Sequence, residues 1–550
     1  MAKCLSKPYK FGAPQLSKPN DPSWYAKDAQ LLKDTASFPF SIPAGNPVSI
    51  TSTDEHFRGL EYAVPGVMTL YMKPCIGRAV DGTDAINIAA RNIYTFVRHQ
   101  NSGHTNYEAS DLMMYLMAMS EIYSFHAWCV RLYGIARLYQ QTNKYLPDGL
   151  LEAMYVDRSV VMDLPKLRSF INLTRRKFAA TAVPNSMPYI NRKIWLYSGI
   201  YTDADSPKAQ MYVFQPVGFY QFEFGELGKL TFKPFGRMDS MQKSKFTLQD
   251  LTEYADNLIN AVMTDEDMGI MSGDILKAFG DSGIYKVSEM SEDYEIVPSY
   301  SHEVLTQIEN TVILSNYFAQ TTEGINWDIQ QNAEIGGGYL YCNNDVLYKN
   351  PFFGGEQQGD PTVLPSYGPG ADQLIDLDSV HPSPEEVMIA TRLKPSVTGV
   401  TATSKESMDG KSIQFKYQVG YVGADMCIAA DYITYSPTTK RYEVTRANPS
   451  WMSHATTTTE VVNNKDTVPL SQVMNICTST NFNHHPIQYL TYVPLTDKKQ
   501  WNANATETLS DVVSDVNVYT TITPIELGRM HEVAMMSMFD VPMMGAWSNK

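Results

Sequence analysis

The stretch LMMYLMAMSEIYSFHAWCVRLYG, residues 112–134, is apolar on nearly every side of a predicted helix. A helix that is apolar all round is either buried in a large protein or spans a membrane. Glu121, His126 and Arg131 interrupt the run, and ionisable side chains are costly in lipid. The stretch therefore predicts a central, buried helix of a large globular protein and no membrane span.

Helical periodicity continues on both sides of this stretch. The segment TDAINIAARNIYTFVRHQNSG predicts a helix over 84–103, with Asp84 as its N-cap and Gly103 at its end. Further helices are predicted over 167–180 and 247–263, where apolar residues recur at intervals of three and four. The first half of the chain is therefore predicted to be mainly helical.

Strand periodicity appears at two places. Over 210–235, the segments QMYVFQPVGFYQFEF and KLTFKPF flank the turn GELG and predict a β-hairpin. Over 411–445 the chain is again strand-like, with a hairpin turn at SPTT, and a Met-rich helix is predicted near 525–539. The predicted fold class is α+β, with a helix-rich first half and a β-rich second half.

Composition divides the chain into four parts. Residues 1–80 contain many prolines and are predicted to be an irregular N-terminal arm. Residues 81–320 are predicted to form a mainly helical domain with the hairpin near 210–235. Residues 321–524 are rich in loops and strands and are predicted to form a second domain, and 525–550 a C-terminal helix and tail.

Charge and composition indicate which partners the chain suits. It has 550 residues and a formal net charge of −15, and only 19% of the residues are charged, below the ordinary fraction of about 25%. With 34 Tyr and 28 Met, such a surface is typical of contact with other protein and favours an oligomer. Lys3, Lys7, Lys10 and Lys18 lie in a first stretch without acids, so they are the first candidates for contact with a polyanion such as a nucleic acid. A solvated terminus is the alternative.

The motif TDEDMGIMSGDILKAFG, residues 264–280, combines acids and glycines as metal and phosphate loops do. An EF-hand is excluded, because Gly269 and Leu276 occupy positions where that loop needs oxygen ligands. A phosphate-binding P-loop is excluded because Asp274 occupies the position of the required lysine. The motif therefore indicates no chemistry by itself.

The remaining interpretation of this motif is a turn between two helices. One helix ends near Met263, and Gly269 and Gly273 are predicted to supply turn conformations that other residues resist. Ser272 or Asp274 is then predicted to cap a second helix that begins at ILKAFG.

Few patterns suit metal binding. The six cysteines are far apart, so no CxxC pair exists. His484 and His485 are the best metal candidates, but no nearby Cys or acid completes a ligand set, and a surface loop is predicted. His381 also suits a loop. We therefore predict no metal and no cofactor.

A basic cluster, Arg175, Arg176 and Lys177, lies in the helix predicted over 167–180. It suits contact with phosphate or, alternatively, a solvated helix face. Gly-x-Ser-x-Gly is absent, and no Ser/His/Asp or Cys/His order can be singled out. We therefore predict that the protein is not an enzyme.

Three longer segments, taken in order, resemble the capsid proteins of picobirnaviruses. They are IYTFVRHQNSGHTNYEASDLMMYLMAMSEIYSFHAWCVRLYG (93–134), KIWLYSGIYTDADSPKAQMYVFQPVGFY (193–220), and GDILKAFG followed by SEDYEIVPSYSHEVLTQIEN (291–310). The resemblance covers most of 84–310 and rests on the order and length of the segments. It includes no short catalytic signature, so no functional residue is carried over.

The resemblance implies a coat protein of a small double-stranded RNA virus, whose closed icosahedral shell is built from entwined homodimers. It implies a mostly helical shell part and a β-rich projecting part, in agreement with the change of character after residue 320. Some members lose an N-terminal peptide by self-cleavage, but no family motif for that step can be placed here. The expected partners are the chain itself and packaged genomic RNA, with no membrane, and the expected location is the virion, assembled in the host cytoplasm.

Two other classes of protein stay open at this stage. A glycan- or peptide-binding surface protein would use the Gly-, Pro- and aromatic-rich loop at 334–372. A hydrolase would use acids such as Asp265, Glu266 and Asp267, although the sequence suggests no substrate.

Overall fold

A computed structural model describes most of the chain between residues 65 and 447 and shorter pieces outside it. The described residues are 27–28, 31, 35, 65–101, 103, 107–138, 146–204, 209–225, 227–238, 244–315, 325–332, 338–350, 373–377, 379–407, 410–436, 439–447, 454–455, 482–486, 490–492, 511–513 and 518–539. Lys3, Lys7, Lys10 and Lys18 lie outside them, as does the loop 334–372 apart from 338–350.

Helices dominate the described part before residue 310. In chain order the helices are α1 (Ala85–Gln100), α2 (Ala109–Arg137), α3 (Leu146–Met154), α4 (Arg158–Met162), α5 (Leu164–Phe178), α6 (Pro188–Ser198), α7 (Leu248–Met263), α8 (Glu266–Phe279), α9 (His302–Glu309), α10 (Pro384–Ala390) and α11 (Pro524–Met538). The helices predicted over 84–103, 167–180, 247–263 and 525–539 correspond to α1, α5, α7 and α11.

Helix α2 contains the predicted central helix, and it is buried on all sides for almost its whole length. It begins with a capping box. The Glu108 side chain accepts the backbone N–H of Asp111, and the Asp111 side chain accepts the backbone N–H of Glu108. Helices α1, α5, α6 and α7 pack around it. Among the described residues, no helix has the length and hydropathy that crossing a membrane requires.

Strands occur on both sides of the chain's midpoint. They are β1 (Val67–Pro74), β2 (Tyr201–Thr202), β3 (Met211–Pro216), β4 (Gly218–Glu223), β5 (Lys229–Pro234), β6 (Ser299–Tyr300), β7 (Ile329–Asn332), β8 (Tyr339–Cys342), β9 (Val346–Asn350), β10 (Gln373–Asp376), β11 (Ser396–Ser407), β12 (Gly410–Tyr421), β13 (Asp425–Ser436), β14 (Arg441–Arg446), β15 (His454–Ala455), β16 (Leu490–Tyr492), β17 (Asp511–Val513) and β18 (Tyr519–Ile522). The combination of helices and mixed sheets is the predicted α+β class.

The largest sheet has six strands in the order β14-β13-β1-β3-β2-β6. Strand β1 lies inside it, antiparallel to β13 and parallel to β3, and all eight of its residues are buried. The prediction of an irregular arm up to residue 80 is therefore wrong for Val67–Pro74. A strand that is covered on both faces is a continuous apolar run without alternation. The many prolines before this run favoured the prediction of an irregular arm instead.

The same sheet joins distant parts of the sequence. Strands β13 and β14 come from the part predicted to be a separate, strand-rich domain, yet they pair with β1 and with each other. The hairpin predicted here is confirmed by the antiparallel pairing of β13 with β14, although positions 437 and 438 of its SPTT turn lie outside the described residues. Strands β13 and β14 thus share a sheet with the N-terminal part, and the rest of the division into domains stays a prediction.

The hairpin predicted near 210–235 is present in a modified form. Strands β4 and β5 pair antiparallel from Gly218–Pro234 to Glu223–Lys229, and β7 and β8 extend this sheet. Strand β3, predicted as part of the same hairpin, instead belongs to the six-stranded sheet. The chain changes sheets at Gly218, where a Cβ would lie 2.4 Å from Cζ of Phe232. Only glycine fits that close approach.

One hydrophobic core unites these elements. It includes side chains from β1, α2, β3 and β13 and extends to Met535 of the C-terminal helix and to Phe539, its C-cap. A smaller cluster lies elsewhere and comprises Ile375, Leu377, Ala390, Ile522 and Leu527. The smaller sheets are β11-β12-β9, β10-β18 and β15-β16-β17.

Candidate assembly surface

The motif at 264–280 forms a helix that starts earlier than predicted. Asp265 is the N-cap of α8, and its carboxylate accepts the Met268 N–H at 2.9 Å. The predicted turn conformations at Gly269 and Gly273 are wrong, because both glycines lie inside α8. A strong N-cap one turn before the first glycine offsets the low helix propensity of glycine.

The inner side of α8 is fixed against the rest of the chain. Its buried side chains are Met268, Met271, Ser272 and Ile275. Ser272 and Asp274, predicted as helix caps, instead make long-range contacts, so that prediction is wrong. The Ser272 hydroxyl accepts the Ala182 N–H at 2.8 Å, and the Tyr107 hydroxyl donates to Asp274 at 2.7 Å. These bonds join α8 to the segment after α5 and to the segment before α2, and they help to set which face of α8 points outward.

The outer side of α8 combines apolar, small and charged residues. We call it the α8 outer face, and its residues are Glu266, Gly269, Ile270, Gly273, Leu276 and Lys277. Ile270 is 41% exposed and Leu276 43% exposed. A Cβ at Gly269 or Gly273 would meet no described atom within 4 Å. Each glycine therefore costs about 1 kcal/mol of helix stability relative to Ala with no compensating contact inside the described chain.

The three acids proposed for a hydrolase are accounted for by α8 itself. Asp265 caps the helix, and Glu266 and Asp267 lie exposed in its first turn, where acids interact favourably with the helix dipole. No group of three or more His, Cys, Asp or Glu residues that could hold a metal occurs within the described ranges. The geometry therefore gives the hydrolase alternative no support.

The predicted histidine pair serves packing. His484 Nδ1 lies 3.2 Å from a Glu309 carboxylate oxygen, and its backbone N–H donates to the Tyr212 hydroxyl at 3.2 Å. His485 is buried, and its Nδ1 lies 3.1 Å from the Pro486 carbonyl oxygen. His381 lies exposed, as expected of a loop residue. His484 therefore attaches the segment 482–486 to the six-stranded sheet and to α9.

The predicted basic cluster on α5 is partly used inside the chain. Arg175 donates to the Val287 carbonyl at 3.0 Å and pairs with Glu289 at 3.8 Å. Lys177 pairs with Asp256. Arg176 is exposed and lines a groove between α5, the end of α2 and residues 289–292. A fully solvated face is thus wrong for two of the three residues.

Buried charges join the helices to one another and to the large sheet, and no local pattern in the sequence indicates their partners. Glu121 on α2 pairs with Lys193 on α6 at 2.5 Å, and both are almost completely buried. Burial raises the pKa of Glu121, and the neighbouring Lys193 opposes that shift. Arg192 reaches Asp425 on β13 at 3.4 Å. Such pairs cross 72 to 233 positions of sequence, which local patterns cannot indicate.

A second buried charge lies on β13. Asp431 pairs with Arg446 of β14 and accepts a hydrogen bond from the Tyr71 hydroxyl at 2.9 Å. Arg237 also approaches it, at 3.8 Å. Burial is the main reason that the pKa of Tyr71 is raised well above its ordinary value, and the Asp431 carboxylate adds to the effect. These groups are engaged with one another inside the fold, so they stabilise it.

Another exposed apolar position lies at the tip of the β4–β5 hairpin. Phe224 is 83% exposed and Leu227 is 49% exposed. Together with the α8 outer face, this tip is a surface that suits contact with protein. The described part of the molecule thus offers assembly surfaces more clearly than a catalytic pocket.

Comparison with known proteins supports this view. The sequence matches the family model of the picobirnavirus capsid protein over residues 24–468. It is 32% identical over 548 residues to the capsid protein precursor of a human picobirnavirus, strain Human/Thailand/Hy005102/-, covering 96% of this chain and 92% of that protein.

The fold is similar to the X-ray structure of the picobirnavirus capsid, with a TM-score of 0.68 at 23% sequence identity. The similarity covers 96% of this chain and 100% of that one. At this identity the likeness shows the fold, whereas the family model and the human-virus relative show the family. The chain belongs to the picobirnavirus capsid protein family.

Proposed function

We propose that this capsid protein forms homodimers, and that the dimers repeat to build a closed icosahedral shell around a double-stranded RNA genome. Membership of the capsid protein family over most of the chain carries the proposal. A composition low in charge and rich in Tyr and Met supports it, because large repeated interfaces use such residues. We further propose that assembly takes place in the host cytoplasm, that the protein resides in the virion, and that it acts without enzymatic activity.

Expression of the chain alone tests self-assembly. The expected products are closed particles in electron micrographs, or at least stable dimers by light scattering. A clean monomer across a range of salt and pH would contradict the proposal. Dimers without particles would support the dimer and contradict unaided shell closure.

We also propose that the N-terminal lysines contact the packaged RNA. Lys3, Lys7, Lys10 and Lys18 carry positive charge in a stretch without acids, although the chain as a whole is acidic. One such arm binds weakly, but many arms that face one interior act together through multivalency. Because each lysine neutralises about one phosphate, binding should weaken steeply with salt.

Deletion of residues 2–20 tests the role of the arm. If the arm contacts RNA, particles still form but their nucleic-acid content, measured by the ratio of absorbance at two wavelengths, falls. If the arm instead docks on a neighbouring subunit, assembly itself suffers. Full particles with unchanged RNA content would rule out both roles.

A further inference from the structure

The residues of the α8 outer face form a self-complementary pattern. Glu266, Ile270, Gly273 and Lys277 are spaced by four, three and four residues, so they form one stripe along the helix. All four are exposed. The order of the stripe is acid, apolar, small, base. It is complementary to itself when it is read in the opposite direction.

From this pattern we infer that α8 is a two-fold contact, in which the α8 helices of two copies of this chain pack antiparallel. The inference rests on the proposed function, because it names one of the surfaces through which the capsid protein contacts itself. A two-fold contact uses the same patch on both subunits, so the patch must be self-complementary. The α8 outer face meets that condition in both charge and shape.

The charges match at both ends of the pair. With the axis midway along the stripe, Glu266 faces Lys277 of the partner subunit, and the reverse pair forms on the other side. The antiparallel arrangement also brings the positive end of one helix dipole beside the negative end of the other. Two ion pairs and two favourable dipole ends therefore form for each two-fold axis.

The apolar side chains match in the middle. Ile270 of each copy lies over Gly273 of the partner subunit, where no Cβ obstructs a close approach of the two helices. Leu276 then borders the contact and loses exposure. The contact gives a reason for a glycine at position 273, which meets no atom of the described chain.

The size of the contact limits its role. Helix α8 has 14 residues and is therefore about 21 Å long. A pair of such helices buries less than the roughly 1,200 to 2,000 Å² of a stable protein interface. The α8 contact must accordingly be one part of a larger interface, and its loss should weaken association while the subunit stays folded.

Charge reversal provides the test. Glu266→Lys alone and Lys277→Glu alone each set like charges against each other at two places, and the association constant of the assembling subunits should fall about tenfold or more. The double variant E266K/K277E restores both pairs and should assemble like the parent chain. An equimolar mixture of the two single variants should also assemble, because each supplies the charge that the other needs. Sedimentation velocity and electron microscopy at low salt measure these outcomes.

A matched control uses an exposed pair within one chain. Asp281 and Lys286 pair at 2.6 Å, with both side chains largely exposed. Their single reversals, Asp281→Lys and Lys286→Asp, should leave association unchanged. As a second probe, Gly273→Leu should leave the folded subunit intact, because its Cβ meets no described atom, yet it should reduce association.

Three results would overturn the inference. If the single reversals assemble like the parent chain, the α8 face lies outside the interface. If they lower the unfolding temperature of the dissociated subunit instead of its association, another segment of the same chain covers the face. If the mixture assembles no better than the single variants, the contact is not two-fold. A monomeric parent chain would contradict the proposed function itself, and with it the α8 contact.

Discussion

Helices α2 and α8 both contain glycine and methionine, but the two helices differ in how far the described chain buries them. Helix α2 is enclosed by its own chain, and a Cβ at its Gly134 would lie 2.7 Å from Cβ of Ile296. The described residues cover helix α8 on one side only, and a Cβ at Gly273 would meet none of their atoms within 4 Å. Packing within the chain accounts for the residues of α2. The residues of the α8 outer face are accounted for by the inferred contact with a second copy of the chain.

The largest expected effect is on the apolar interior of α2. Leu116 is fully buried, so Leu116→Asp places an unpaired charge in the core at a cost of several kcal/mol. Because a whole domain is stable by only about 5 to 15 kcal/mol, the variant should yield no soluble protein. The matched change on the α8 outer face, Leu276→Asp, should leave soluble expression intact. Equal solubility of the two variants would remove the contrast between the helices.

A smaller effect is expected at the buried charge on α2. Glu121→Ala leaves the Lys193 ammonium buried without its partner and should destabilise the protein by about 3 to 5 kcal/mol in chemical denaturation. The double variant E121M/K193M removes both charges and should be close to the parent chain in stability. On α8, Glu266→Ala should change stability by no more than about 0.5 kcal/mol. A loss for the double variant as large as for Glu121→Ala would show that the pair itself supplies the stability.

The pH dependence of stability tests the burial of α2. Burial on α2, with a contribution from Arg175, lowers the pKa of His126 to about 4 from an ordinary 6.5. The unfolded chain then binds the proton more tightly than the folded chain, so stability is full above pH 6.5 and falls as pH drops towards 4. The loss from this residue amounts to about 3 kcal/mol.

The variant His126→Phe isolates this contribution. The Nε2 atom of His126 has no hydrogen-bond partner among the described residues, so the ring acts mainly as packing against Phe178. The variant should flatten the stability profile between pH 6.5 and 4 without abolishing it. The remaining slope comes in part from His531, whose pKa burial lowers to about 3. An unchanged profile would mean that His126 is not buried as described.

The sequence predicts the helical part well because its signals are local. The apolar run of α2 and the caps and periodicity of α7 lie within single segments. Strand β1 is not predicted from the sequence because its partner β13 lies about 360 positions away. The apolar run becomes a central strand only through that pairing. The turn predicted at Gly269 and Gly273 is wrong because the Asp265 cap starts the helix before them and offsets the low helix propensity of glycine.

The candidate surface was harder to predict than the fold. Sequence alone does not indicate which face of α8 the rest of the chain leaves uncovered, because that depends on contacts from Tyr107 and Ala182. Once those contacts are known, the outer face follows from helical spacing. The lysines proposed to contact RNA lie outside the described residues, so their role stays a prediction.

The smallest expected effect gives the closest comparison, since one substitution is made on each helix. Gly134→Ala on α2 should destabilise the protein by about 1 to 3 kcal/mol, because the new methyl group collides with Ile296. Gly273→Ala on α8 should stabilise the dissociated subunit by up to about 1 kcal/mol, because alanine favours the helix and its methyl group meets no described atom. Chemical denaturation of both variants under dissociating conditions measures the two signs. If Gly273→Ala also destabilises the isolated subunit, packing within the subunit requires this glycine. The contrast between α2 and the α8 outer face then fails.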